Sequence, residues 1–177
     1  MRRQVLQKDV VRVVNCCARH VHSSVHDNNG APNKNIGDAF LVVWKCKGGL
    51  SVREVADAAL RSCVRNVLTV SRSKELAMLV KRQAVQERLP GYTVRLGYGL
   101  HYGWAVQCAI GSDLKVDTSY LSSHVSLASR LEEATKQYGV DLLMSSQTYG
   151  LLSPNIQAMC RMIDRVVIKG TTVPFEL

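Results

Sequence analysis

No apolar run in this sequence approaches the ~18 residues that a helix needs to cross a bilayer. After Arg2 and Arg3, the stretch from Gln4 to Asp9 is too polar for the core of a secretion signal. There is no Cys-x-x-Cys pair: the six cysteines stand at 16, 17, 46, 63, 108 and 160. Reduced thiols are therefore expected rather than a disulfide scaffold. Cys16, His20, His22 and His26 fall at helical spacings, but no second ligand pair completes a tetrahedral zinc site. Base-stacking aromatics are scarce, with two Phe and two Trp, and no run of five basic residues occurs. A dedicated nucleic-acid binder is not expected on those grounds. The formal net charge of +9 still attracts polyanions, nucleotide phosphates among them. What remains, 46% apolar and 21% charged over 177 residues, suits one globular domain with a full core.

Periodicity divides the chain into mixed elements. A helix is predicted over 5–27, with Val10, Val14, Cys17, Val21 and Val25 on one face. Asn28-Asn29-Gly30 and Pro32 stop it. Ala39 to Trp44 reads as a buried strand, and the polar residues 33–38 as its hairpin partner, turning at Gly37-Asp38. Ser51 and Glu54 have the spacing of a capping box, opening a helix over 52–70 that is followed by another over 73–88. Strands are predicted at 93–100 and 104–110 around His101-Tyr102-Gly103, while 113–120 is ambiguous between strand and loop. Leu127, Leu131, Ala134 and Tyr138 stripe a helix over 123–138 that Gly139 ends. A strand at 140–144, a short helix at 146–152 and a strand at 161–169 follow. The order predicts an α+β fold, with 38–44, 93–100 and 104–110 in one central sheet and helices on one face.

A few residues carry chemistry. Asp38, at the expected tight turn, is either a Mg²⁺ ligand or a turn aspartate favoured by backbone geometry. Lys34, four residues earlier, is either a reader of base or phosphate or a solvated lysine. Ser126 and Arg130 share a helix face off the leucine stripe. That arginine can clamp a pentavalent phosphate or pair with Glu132 or Glu133. Lys169, before Gly170, is either a phosphate ligand or a strand-end lysine. The glycine-rich run 97–103 matches no phosphate loop, so its glycines are read as close packing and His101 as structural rather than a general base.

Taken together, these segments resemble a known family. Lys34-Asn35-Ile36-Gly37-Asp38-Ala39-Phe40 resembles the hairpin of class III adenylyl and guanylyl cyclases. Arg95 to Gly103 resembles the next strand with its His-x-Gly turn, and Val125-Ser126-Leu127-Ala128-Ser129-Arg130-Leu131 the Val-Asn-x-Ala-Ser-Arg-Leu helix. Val167-Ile168-Lys169-Gly170 resembles the closing strand. The segments are in family order, and in detail the chain is most similar to cyclase domains of multi-domain proteins in single-celled eukaryotes. The resemblance implies a ferredoxin-like core, mainly antiparallel, working as a homodimer or paired with a second cyclase domain. Two metal ions, Mg²⁺ or Mn²⁺, would assist attack of the ribose 3′ oxygen on the α-phosphorus. By resemblance Asp38 is a metal ligand, Lys34 and Ser119 read the base, Arg130 stabilises the transition state and Lys169 holds the phosphate tail. Ser126 stands where the family has an asparagine that orients the ribose. The strand with the family's other metal aspartate lies upstream of the first helix. Residues 1–177 are thus expected to be a single domain lacking that strand and inactive alone.

ATP is expected over GTP, because adenine N1 accepts a proton that Lys34 can donate, whereas guanine N1 and N2 want an acceptor. Intracellular signalling in the cytoplasm is implied, with any membrane attachment through other parts of a larger protein. Two other readings stay open: an inactive cyclase-like module for dimerisation or regulation, and a basic ferredoxin-like RNA binder.

Overall fold

The computed structural model describes residues 2–167 and 174–177. The first helix, α1, runs Arg2–Asp27 and buries Cys17, Val21 and Val25 of the expected face, with Cys16 beside them, while Val14 is half-buried and Val10 is exposed. It ends where the Gly30 amide returns to the Val25 carbonyl at 2.8 Å. Strands β1 (Ala31–Ile36) and β2 (Ala39–Val43) form the expected hairpin, turning at Gly37 with φ 65° and Asp38. A positive φ there suits glycine, which has no Cβ to clash.

Helix α2 (Val52–Arg72) opens with the capping box read from the sequence: Ser51 accepts from the Glu54 amide and Glu54 accepts from the Ser51 amide. Those bonds hold the Glu54 carboxyl below its usual range. The helix expected over 73–88 is two helices, α3 (Lys74–Val80) and α4 (Gln83–Gln86). The break has a physical cause. Arg82 takes an extended backbone, its guanidinium reaches the buried Asp9 carboxylate, and the Gln86 side chain donates to the Val80 carbonyl at 2.7 Å.

Strands β3 (Tyr98–Leu100), β4 (Val106–Ser112) and β5 (Lys115–Leu121) precede helix α5 (Ser123–Tyr138), which Gly139 ends at φ 64°. After it come β6 (Leu142–Met144), α6 (Ser146–Tyr149), α7 (Pro154–Gln157), β7 (Arg165–Val166) and β8 (Phe175–Glu176). Pro154 opens α7 at a position where its missing amide costs nothing, rather than closing the helix before it.

Strands and helices mix as expected, but the central ladder differs. The described strands form four two-stranded sheets: β1–β2, β4–β5 and β7–β8 antiparallel, and β3–β6 parallel. The runs 38–44, 93–100 and 104–110 are therefore not hydrogen-bonded into one sheet. Residues 113–120, left ambiguous, lie mostly in β5, the partner of β4. Residues 93–97 are not strand. Gly97 lies against Thr135 and Glu132 of α5, Arg95 binds Asp141 at 2.6 Å, and the chain joins β6 only at Tyr98. Phe40 of β2 and Val94 and Leu96 before β3 rest on one buried cluster, Cys16, Cys17, Val70 and Leu76. The two strands thus lie over the same helix layer without bonding to each other. Among the described residues, no helix is long and apolar enough to cross a membrane.

Candidate active site

The structure joins two of the six candidate residues directly. Lys34 Nζ, on β1, donates to Ser119 Oγ, on β5, at 2.5 Å. Ser119 is buried, so its hydroxyl needs a partner, and the lysine supplies it. Asn33 reinforces the approach by donating to the Thr118 carbonyl at 3.2 Å. A residue the sequence reading missed completes the cluster: Asp117 lies 3.5 Å from Lys34 Nζ. Asp117 and Ser119 are two apart on one strand and so face the same side, which spacing alone foreshadows once β5 is known to be a strand. The Lys34 ammonium therefore sits between a carboxylate and a hydroxyl, with its side chain only 27% exposed.

This sheet face combines polar and exposed apolar side chains. The register pairs Cys108 with Ser119, Ile110 with Asp117 and Val106 with Leu121, and directly opposed residues share a face. Polar readers are thus framed by exposed apolar side chains: Val106, Ile110 and Leu121.

Ser126 and Arg130 lie one turn apart on α5, Ser126 exposed and Arg130 half-buried. Neither Glu132 nor Glu133 pairs with Arg130 among the described residues. Helix α5 is pressed onto β3 because Gly99 lacks a side chain: a Cβ there would meet the Ala128 carbonyl oxygen at 2.1 Å. The glycines of 97–103 thus serve close packing, as read from the sequence. His101 is no isolated hairpin residue. Its ring bonds Ser145 Oγ at 2.7 Å and His124 Nδ1 at 2.8 Å. Burial, with the neighbouring His124 charge second, pulls its pKa down to about 4.

Asp38 is exposed at the hairpin tip, with no bond to Lys34. Lys169 lies outside the described residues. No group of three His, Cys, Asp or Glu among the described residues is placed to hold a metal ion. One exposed carboxylate does not make a Mg²⁺ site, so the residues present do not fit a two-metal centre by themselves. Asp9 cannot supply a second ligand, since its carboxylate is buried against Arg82 and Arg12. The cysteines are free, and burial pushes Cys63 up to about 12 and Cys17 to about 11, which makes both inert.

Comparison with known proteins identifies the family and the fold. The family model of the adenylate and guanylate cyclase catalytic domain matches residues 3–175. An adenylate cyclase from Anabaena cylindrica is 25% identical over 163 residues, covering 92% of this chain but 30% of that protein. The crystal structure of the adenylyl cyclase CyaB from P. aeruginosa superposes with a TM-score of 0.69 at 24% identity, covering 94% of this chain and 79% of that one. The guanylate cyclase domain of RhGC from Catenaria anguillulae, crystallised with GTP, gives 0.71 at 18% identity, covering 96% and 81%. The shared fold spans adenylyl and guanylyl enzymes alike. The chain belongs to the adenylate and guanylate cyclase catalytic domain family.

Proposed function

We propose that this chain is the catalytic domain of a nucleotide cyclase that converts ATP, in preference to GTP, to the 3′,5′-cyclic nucleotide and pyrophosphate, at the interface of two such domains. The observation that carries the reading is the Lys34–Ser119 contact at 2.5 Å on an otherwise unpartnered sheet face. With Lys34 donating to Ser119 Oγ, the serine proton and a second ammonium proton remain free. The ammonium proton suits the N1 acceptor of adenine and cannot accept the N1 and N2 protons of guanine, whereas the Ser119 hydroxyl can donate or accept and does not discriminate.

In this reading a partner domain closes over the face and brings its own α5. Arg130 meets the charge that grows on the transferring phosphoryl group, and an interaction made mainly in the transition state raises turnover rather than affinity. Ser126 is the ribose-orienting group and Lys169 the phosphate-tail ligand. Asp38 contributes one carboxylate to a Mg²⁺ or Mn²⁺ site. The rest of that donor set must come from residues beyond those described, so no step is routed through a metal. The setting is cytoplasmic, where ATP is supplied and thiols stay reduced.

The lone, exposed Asp38 also favours a second reading, a cyclase-like module that pairs with an active partner without catalysing. The full-length protein decides between them. Assayed with ATP and with GTP under Mg²⁺ or Mn²⁺, it should form cyclic AMP. Arg130→Ala should lower turnover by ~10²-fold or more with little change in nucleotide affinity. Nucleotide binding with no cyclic product would leave the non-catalytic module.

A further inference from the structure

The His101–His124 pair makes no hydrogen bond to Lys34 or Ser119 among the described residues, and no role is assigned to it above. Hydrogen-bond counting gives the pair a direction. Thr148 Oγ1 donates to the Leu100 carbonyl at 3.4 Å, which uses its proton. With that proton used, we take Ser145 Oγ, 3.1 Å from Thr148 Oγ1, as the donor of their contact. Having given its proton away, Ser145 Oγ can only accept from His101, at 2.7 Å. That places the His101 proton on Nδ1, so Nε2 accepts the proton of His124 Nδ1 at 2.8 Å. The rings stack, with centroids 5.0 Å apart, and the edge-on Trp104 ring flanks His124 at 6.1 Å. Gly103 permits this closeness: a Cβ there would meet the His124 ring at 2.2 Å.

We propose that His101 and His124 are positioning residues: a directed chain of hydrogen bonds, from His124 through His101, Ser145 and Thr148 to the Leu100 carbonyl, pins the first turn of α5 to the β3–β6 sheet, and acid weakens it by charging the part-buried His101 ring and forcing the chain to rearrange. The anchor is firm because Ser145 is fully buried at the start of α6. The load is relevant because His124 is in the first turn of the helix that carries Ser126 and Arg130.

Acid sensitivity follows from the valence of the ring. Both His101 nitrogens are engaged, so an added proton must sit on Nε2, and the contact survives only if His124 moves its own proton to Nε2 and accepts at Nδ1. Among the described residues, no carboxylate is bonded to either ring. Around His101, α6 offers the Ser145 and Thr148 hydroxyls, and α5 offers His124. Glu132 of α5 lies beside Gly97, and Asp57 of α2 is bound to the Ser153 amide. The sign of the effect is fixed. His101 titrates near pH 6.5 when unfolded and near 4 when folded. The stability it supports is complete above 6.5 and declines as pH falls toward 4, by up to about tenfold per pH unit in the folding equilibrium.

The test uses the 177-residue chain and does not depend on catalysis. Long-range ¹H–¹⁵N NMR of the imidazoles should find His101 as the Nδ1–H tautomer, neutral down to about pH 5. An Nε2–H tautomer, or titration near 6.5, would overturn the proposal. Amide hydrogen exchange over 123–130 should quicken at least tenfold in His124→Ala. His124→Asn, whose amide nitrogen stands where Nδ1 does, should restore protection. If Asn protects no better than Ala, the directed bond is wrong. The claim that the pin serves turnover rests on the proposed cyclase reading and has its own arm. In the full-length protein His124→Ala should lower kcat by about 10- to 100-fold with KM little changed, Asn again restoring it. Absence of turnover in the wild type would count against the cyclase reading, while the NMR and exchange results would still decide the pin.

Discussion

At the scale of single residues, the proposed function makes an ammonium group between two acceptors the one that tells purines apart. Lys34 donates to Ser119 Oγ at 2.5 Å and forms an ion pair with Asp117 at 3.5 Å, so at least one of its three protons is held in the free protein. A base acceptor can take another. Replacing the cation by Lys34→Glu would offer guanine an acceptor, but it would also set two carboxylates side by side. The single variant should therefore bind both nucleotides poorly. Combined with Asp117→Asn, which removes the repulsion, it should swing the ratio of ATP to GTP affinity toward GTP. A charged hydrogen bond is worth about 1.5–3 kcal/mol, or roughly 10- to 100-fold. Competition between the two nucleotides for the full-length protein measures the ratio. An unchanged ratio in the double variant would remove Lys34 from base recognition.

At the scale of elements, α5 decides whether the site has a shape. Its contact with β3 is backbone to backbone at Gly99, and Leu131 beneath it is fully buried against Leu143 and Leu177. Gly99→Ala should push the helix outward and cost up to about 3 kcal/mol, the upper range for overpacking. Leu131→Ala leaves a hole and should cost about 2–5 kcal/mol. Denaturant titration checks both, and Leu114→Ala, at a side chain 97% exposed, is the control that should change nothing. An unmoved midpoint for Gly99→Ala would contradict the tight α5–β3 contact. The legible elements were those specified locally. The Ser51–Glu54 box, the Gly37-Asp38 turn and the Gly139 stop each follow from a few neighbouring residues. What pattern could not give depended on distant partners. Thr93 to Gly97 has the β-branched and apolar look of a strand, yet α5 and Asp141 hold it out of the ladder. The break at Arg82 depends on Asp9, 73 residues away in sequence, and His124 and Asp117 were passed over because their partners lie on other elements.

At the scale of the whole molecule, the β4–β5 hairpin is the part that does not close on itself. A two-stranded ribbon is marginal alone, and this one keeps Val106 and Leu121 opposite each other, each 54% exposed, on the face that carries Ser119 and Asp117. Apolar side chains around polar readers are the anatomy of an interface rather than of a free surface. A second cyclase domain fits the need: it would cover the apolar pair and complete the nucleotide site in one step. In a two-fold dimer each substitution is felt twice. Covering one such side chain is worth about 1.5–3 kcal/mol, so Val106→Asp should weaken association by at least 3 kcal/mol, or more than about 100-fold in Kd. Neither Val106 nor Leu121 is in the core, so thermal unfolding of the monomer should barely move, which separates loss of pairing from loss of fold. Analytical ultracentrifugation over a concentration series, with nucleotide and Mg²⁺ present, should show a monomer–dimer equilibrium that Val106→Asp and Leu121→Asp each shift to monomer. A wild-type chain that stays monomeric at the highest concentration, or a dimer indifferent to both substitutions, would place the interface elsewhere and detach the Lys34–Ser119 face from the shared site.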